Sequence, residues 1–358
     1  MFVFQETVFL SHIKSGIPFM KNATLKQIAD QLGISITTVS KAIKNYPDVS
    51  SATKKKVIDL ATSLNYTPNS FAVNLRTKES KTIGVIIPTV DYHFFSKVFQ
   101  GVLEEAEKRN YLVIILRSNE KLELEKKQLE LLLSKRVDGI IISLSNETGE
   151  FEHLKNILAQ NIPLVLFDKI AKLVNCSKVT INDRKAAYDA TSFLIKKGRK
   201  RIAHFRGSYM PQNSIDRFLG YKKALEDHNI AYDSSLVYVC DNNSDLEDGY
   251  ANAIKAVSEH ADLDGIFTVT DMVAVGVLKY LNEINIPIPK QIAIVGFCNS
   301  FVTEVTTPKL STIDQPGFEI GRVAASVLFD EINSKKQNEP ITFQSIELET
   351  SVLEREST

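Results

Sequence analysis

Thr24-Leu25-Lys26-Gln27-Ile28-Ala29-Asp30-Gln31-Leu32-Gly33-Ile34-Ser35-Ile36-Thr37-Thr38-Val39-Ser40-Lys41-Ala42-Ile43-Lys44 is the stretch that decides how the chain begins its fold. Leu25, Ile28, Ala29 and Leu32 recur at i, i+3, i+4 and i+7, the apolar stripe of a short helix. Thr24 supplies a side-chain oxygen for an otherwise unpaired amide at its start. Gly33 ends the helix, free to take a positive φ. Ser35 caps a second helix from Ile36 to Lys44, which buries Val39, Ala42 and Ile43. Pro47, Ser50 and Ser51 open a third, in which Val57, Ile58, Ala61 and Leu64 are expected to face inward. Three short helices with a tight glycine turn between the first two make a helix-turn-helix.

Working outward, the charge pattern is the next signal. The 358 residues carry no net formal charge. Residues 21–81 nevertheless hold 10 basic and 4 acidic side chains, and residues 82–358 hold 32 and 38. A basic head on an acidic body points to a polyanionic partner for the head. The length suits about two domains. The 44% hydrophobic and 24% charged residues are those of a soluble globular protein. No apolar run approaches the roughly 20 residues that span a bilayer. The first residues lack the basic start and cleavage site of a secretory signal, so a cytoplasmic location is expected. Cys176, Cys240 and Cys298 are too far apart for a metal-ligand spacing. No metal and no cofactor is expected. Residues 1–19 are apolar without a period. Met20 is the expected start, which makes residues 1–21 an extension or upstream sequence.

Beyond the helices, Tyr66-Thr67-Pro68-Asn69 is a break, because proline pushes Thr67 out of the helical region. Residues 71–76 suffice for about two helical turns, too few to be stable alone in water. Thr77 to Ser80 form a polar linker. Residues 22–67 are therefore a helix-turn-helix domain, 68–80 a hinge helix and linker, and 81–358 a body. From Thr82 on, apolar strands alternate with amphipathic helices. Strands are expected at 83–87, 112–116, 139–142 and 163–167, and again at 201–205, 236–239, 265–269 and 292–295. Two such series imply an α/β body of two doubly wound lobes with parallel sheets covered on both faces. Lobe 1 is placed at about 81–180 and 312–338, lobe 2 at about 181–311 and 339–358. A ligand is expected in the crevice at the carboxyl ends of the strands.

Several short motifs occur in order. The head has Thr24 to Ala29, Gly33-Ile34-Ser35, Thr38-Val39-Ser40-Lys41 and Asn65-Tyr66-Thr67-Pro68-Asn69. The body has Arg136 to Ile141, Gly198 to Ala203, Asp271 to Gly276, Val295-Gly296-Phe297 and Thr312-Ile313-Asp314-Gln315-Pro316. On these residues the chain resembles the lactose-repressor and galactose-repressor family of bacterial transcriptional regulators, across essentially all of residues 23–358. The resemblance implies a periplasmic-binding-protein-like body and a DNA-bound homodimer on a near-palindromic operator. It also implies a small-molecule effector, a sugar or sugar derivative, that controls operator affinity.

The resemblance places Ile36, Thr37 and Lys41 at base edges in the major groove. Lysine can donate to guanine, threonine can bond either way, and isoleucine can touch a thymine methyl. Thr38 and Ser40 would hold phosphates, and Thr24 joins them at the first helix. The alternative for Lys41 is a solvated surface lysine. Leu75 matches a residue that wedges into the minor groove, with Asn69 and Ala72 beside it. The alternative for Leu75 is packing on the body. Its segment, 69–76, is expected to order on DNA. The effector cleft maps onto Phe94, Phe95, Asp168, Lys169, Arg217, Asp271 and Asn299. The alternative for Phe94 and Phe95 is core packing at a helix start, and for Arg217 and Asp271 a salt bridge between the lobes. At Cys298-Asn299 the sequence departs from the usual acidic pair, which puts the contact at Asn299 in question.

No catalytic set stands out. The six histidines are scattered, and His204 reads as a satisfied core residue. Neither a nucleophile elbow nor a phosphate-binding glycine loop is present. A solute-binding or sugar-handling protein on the same two-lobed body is the competing class. It would have an export signal and no basic head, the reverse of this chain. The last residues lack leucine heptads, so a dimer is expected and a coiled-coil tetramer is not.

Overall fold

Helices α1 (Leu25–Leu32), α2 (Ile36–Ile43) and α3 (Ser51–Ser63) pack around Ile28, Ala29, Val39, Ala42, Val49 and Val57. The computed structural model describes residues 23–66, 79–240 and 245–358, and the chain divides into units 1–78 and 79–358. The caps follow the sequence. Thr24 Oγ1 accepts from the Gln27 amide at 3.2 Å, and Gln27 Oε1 accepts from the Thr24 amide at 2.9 Å, a closed capping box. Ser35 and Ser50 cap α2 and α3 by accepting from the Thr38 and Thr53 amides. Gly33, at φ 65°, turns the chain out of α1. One inward position differs from expectation. Ile58 is half exposed, and Leu60 packs on the core in its place. The stripe that α3 buries is thus Val57, Leu60, Ala61 and Leu64, the i, i+3, i+4, i+7 series.

The second unit contains two six-stranded sheets. The first is built from β1 (Thr82–Ile87), β2 (Leu112–Arg117), β3 (Gly139–Ile142), β4 (Leu164–Phe167), β5 (Ser177–Ile181) and β11 (Ser345–Leu348), in the order β11-β5-β4-β3-β1-β2, all parallel. The second uses β6 (Ile202–Gly207), β7 (Val237–Cys240), β8 (Gly265–Thr268), β9 (Ala293–Phe297), β10 (Ser311–Asp314) and β12 (Ser351–Leu353), in the order β12-β10-β9-β8-β6-β7. Only β12 is antiparallel.

Helices cover both sheets. On the first sheet, α4 (His93–Lys108) and α12 (Gly317–Gln337) take one face, and α5 (Leu122–Ser134) and α6 (Glu152–Ala159) the other. On the second, α7 (Asp183–Lys196) and α8 (Gln212–Asp227) oppose α9 (Asp245–Glu259) and α10 (Asp271–Glu283). A short α11 (Val302–Val305) follows β9. Close approach needs glycine in the α4–α12 pair. A Cβ on Gly321 would lie 2.0 Å from the Val98 carbonyl oxygen, and one on Gly101 would lie 2.1 Å from that of Phe318.

Strand pairing corrects the lobe boundaries. Thr312 to Asp314 belong to the second lobe, because β10 pairs with β9. Residues 345–348 belong to the first, because β11 extends β5. The chain therefore crosses between lobes three times, after β5, after β10 and after β11. The sequence reading missed β5, β10, β11 and β12, which are short and lie at or near the crossovers. Full coverage of the sheets also fails at an edge. The edge strand β2 leaves Leu112 64% and Ile115 37% exposed.

Candidate functional site

The carboxyl ends of the strands in both lobes converge on a cavity of about 140 Å³. Lobe 1 contributes the start of α4 after β1, Glu120 after β2, Asn146 after β3, and Asp168 and Lys169 after β4. Lobe 2 contributes Ser208 after β6, Ser214 and Arg217 from α8, Asp245, Asp271 and Cys298. Gln315 lines it from the crossover after β10.

Six of the seven expected cleft residues line this cavity. Phe94 and Phe95 do so while also belonging to the core, with Phe95 edge-on to Phe167 at 6.2 Å. Lys169 donates to Glu120 and Asn146, both at 2.6 Å. Asp168, at φ 54°, accepts from Ser143 and, across the cleft, from Asn213 at 3.2 Å. Arg217 is buried. Its Nε donates to Asp183 at 2.7 Å, Nη1 donates to the Val269 carbonyl at 2.8 Å, and its guanidinium lies over Phe297. Asp271 accepts from Thr312 Oγ1 at 2.6 Å and from the Ser300 amide at 2.7 Å. Burial raises the Asp183 and Asp271 carboxyls to about 6. Neither Arg217 nor Asp271 bridges the lobes, since each is bonded within its own.

Asn299 is the exception. It sits at φ 51°, donates to Asp314 at 2.8 Å and accepts from Arg355 at 2.9 Å, and it does not line the cavity. The turn sends the neighbouring Cys298 and Ser300 into the cleft instead. Residues missed by sequence reasoning include Tyr92, Asn213, Ser214, Asp245, Ser300 and Gln315. Tyr92 and Asp245 both line the cavity, and Asp245 accepts from Thr270 Oγ1 at 2.5 Å. For Tyr92, Asp245 and Ser300 the signal was positional, as each lies within five residues of the carboxyl end of an apolar strand. Ser214 Oγ, Ser300 Oγ and Gln315 Nε2 are buried and have no protein partner.

In the first unit, Ile36 and Thr37 open α2 exposed, and Lys41 lies just over one turn further on. Ile36 is 47% exposed there. Lys41 is ion-paired with Asp48, and both side chains remain about half exposed. Thr38 holds its hydroxyl against Ser35 Oγ at 2.8 Å, and Ser40 is half-buried. The Thr24 hydroxyl is engaged in its cap. Asn69, Ala72 and Leu75 lie outside the described residues. His204 is fully buried and stacked 4.8 Å from Phe267. Its Nδ1 is 3.1 Å from the Phe267 carbonyl oxygen, but Nε2 has no partner, so it is only half satisfied.

A helix-turn-helix followed by a body with a ligand-sized interlobe cleft is the build of an effector-controlled, DNA-binding transcriptional regulator. Residues 24–69 match the family described as bacterial regulatory proteins, lacI family, and residues 83–336 match the periplasmic binding protein domain. The transcriptional regulator RegA of Clostridium saccharobutylicum is 32% identical over 94% of this chain and 99% of its own. The ribose operon repressor of Halalkalibacterium halodurans is 30% identical over 94% and 97%. The Lac repressor dimer bound to operator and the anti-inducer ONPF shares the fold, with a TM-score of 0.83 at 21% identity over 94% and 99% of the two chains. The chain belongs to the lacI family of bacterial regulators. None of its described helices is long and apolar enough to cross a membrane.

Proposed function

We propose that the chain is a cytoplasmic repressor that binds a near-palindromic operator as a homodimer and responds to an uncharged, hydroxyl-rich effector, a sugar or sugar derivative. The charge state of the cleft carries the effector class. Both cations that line it are already used, Lys169 by Glu120 and Arg217 by Asp183. Asp168, Asp245 and Asp271 accept hydrogen bonds from neutral donors. Such a cleft disfavours phosphate or carboxylate and suits hydroxyls, which both donate and accept. Phe95 supplies an apolar face, and Ser214 Oγ, Ser300 Oγ and Gln315 Nε2, which have no protein partner, supply polar contacts. The similarity to a ribose operon repressor agrees with this class.

Lys41, Thr37 and Ile36 are assigned to base edges, Thr24, Thr38 and Ser40 to phosphates, and Leu75 with Asn69 and Ala72 to the minor groove. The apolar edge at Leu112 and Ile115 supports pairing through lobe 1, since an open strand edge is a template for association. Two experiments test the reading. Sugars, nucleosides and sugar phosphates are compared by thermal shift, and stabilisation by phosphorylated members alone would overturn the effector class. Sedimentation should give a dimer at micromolar concentration, and a stable monomer would overturn the assembly.

A further inference from the structure

The first residues of the body are held by a cluster that none of the preceding assignments uses. Asp138, in the turn before β3, accepts from the Ser80 amide at 2.8 Å and from Ser80 Oγ at 3.0 Å through Oδ1. Its Oδ2 accepts from the Lys81 amide at 2.9 Å. Lys81 sits at φ 52°, a left-handed conformation that a non-glycine residue holds only when its surroundings fix it. Its ammonium lies 4.8 Å from the centre of the Tyr111 ring. Lys336, in the last turn of α12, donates to Tyr111 Oη at 3.1 Å and pairs with Glu79 at 3.2 Å. Each side of the chain where it joins the linker is thus tied to a different element, β3 through Asp138 and α12 through Lys336.

We propose that Asp138, Tyr111 and Lys336 form a clamp that fixes where the linker leaves the body, so that operator binding depends on side chains that touch no DNA. Asp138 is a positioning residue. It holds Ser80 and Lys81 in one conformation, which removes the entropy that a loose junction would lose when the head engages an operator. Helix α12 adds a route to the cleft. It starts two residues after Gln315, which lines the cavity, and ends at Lys336 in the clamp. A helix of 21 residues spans roughly 30 Å. The inference rests on the operator-binding reading above and extends it to the junction.

The test uses the full chain and a duplex enriched by in vitro selection with the wild-type protein. Operator affinity is read by fluorescence anisotropy at several salt concentrations, and exchange of the Ser80 and Lys81 amides is followed in parallel. Asp138→Asn keeps one acceptor oxygen and Tyr111→Phe removes only a hydroxyl, so both should fold even if Asp138→Ala does not. Asp138→Asn should accelerate exchange at Lys81 or Ser80 and weaken operator binding about fivefold, with the log–log salt slope unchanged because the same phosphates are met. Tyr111→Phe should show a smaller loss. Wild-type affinity in both variants overturns the proposal, as does a loss of affinity with unchanged amide exchange. A wild-type chain that enriches no duplex overturns the operator reading and the clamp with it.

Discussion

The guanidinium carbon of Arg217 lies 3.6 Å from the centre of the Phe297 ring, a cation seated on an aromatic face inside one lobe. Asp183 holds its Nε from the other side. Arg217→Ala therefore removes a wall of the cleft and also strands a buried carboxylate. The expected loss is about 3–5 kcal/mol of stability. Burial already raises the Asp183 carboxyl to about 6, and loss of its cation raises it further. Below that range the folded state takes up a proton that the unfolded state does not, so the defect shrinks as pH falls from 8 to 5. Urea unfolding at the two pH values checks this. A pH-independent defect would show that Asp183 is not the stranded group.

His204 carries a linkage of the opposite sign. Burial lowers its pKa to about 3, against about 6.5 in an unfolded chain. Its contribution is complete above pH 6.5 and is lost as pH falls towards 3, because the unfolded state binds the proton first. His204→Phe keeps the stack on Phe267 and removes the titration. Between pH 7.5 and 5 the variant should gain about 2 kcal/mol on the wild type. Parallel unfolding curves at both pH values would count against it.

Lys41 and Asp48 make a second pair with a functional reading. The bond to Lys41 lowers the Asp48 carboxyl pKa, so the pair stays charged at neutral pH. A base edge must compete with that carboxylate for the ammonium. Lys41→Ala should weaken the selected operator about ten- to hundredfold and relax preference at one base pair. Asp48→Asn should strengthen binding a few-fold at low salt. A uniform loss across all sequences for Lys41→Ala would make it a phosphate contact.

Gly321→Ala sets two effects against each other. Alanine inside a helix is worth roughly 0.5–1 kcal/mol over glycine. The new Cβ, however, meets the backbone of Val98, which cannot swing aside as a side chain would. Separation of α4 from α12 should dominate, with a net loss of about 1–3 kcal/mol. A raised melting temperature would refute it.

Most of the fold was legible because its signals are local. The caps at Thr24, Ser35 and Ser50 and the eight mostly apolar strands needed no partner to be recognised. The missed strands mix polar with apolar residues, and a run such as Ser345–Leu348 becomes a strand only because β5 offers it an edge. The same limit applied to the cleft. Arg217 and Asp271 were visible as charged residues at element ends. That Arg217 is consumed by Asp183, and that Asn299 turns away to Arg355, depends on neighbours 34 and 56 positions distant.

The three crossovers between the lobes also set a timetable. The three-helix head draws its core from residues 25–66 and can fold once Tyr66 has left the ribosome, since domains fold as units from the N-terminal side. Neither sheet of the body can close so early. The first waits for β11 and the second for β12, which pairs with β10. A nascent chain thus carries a finished head through most of the synthesis of the body, before either lobe has its full sheet. Any DNA it touches in that interval is touched without regulation, because no effector can speak through a cleft that has not yet formed.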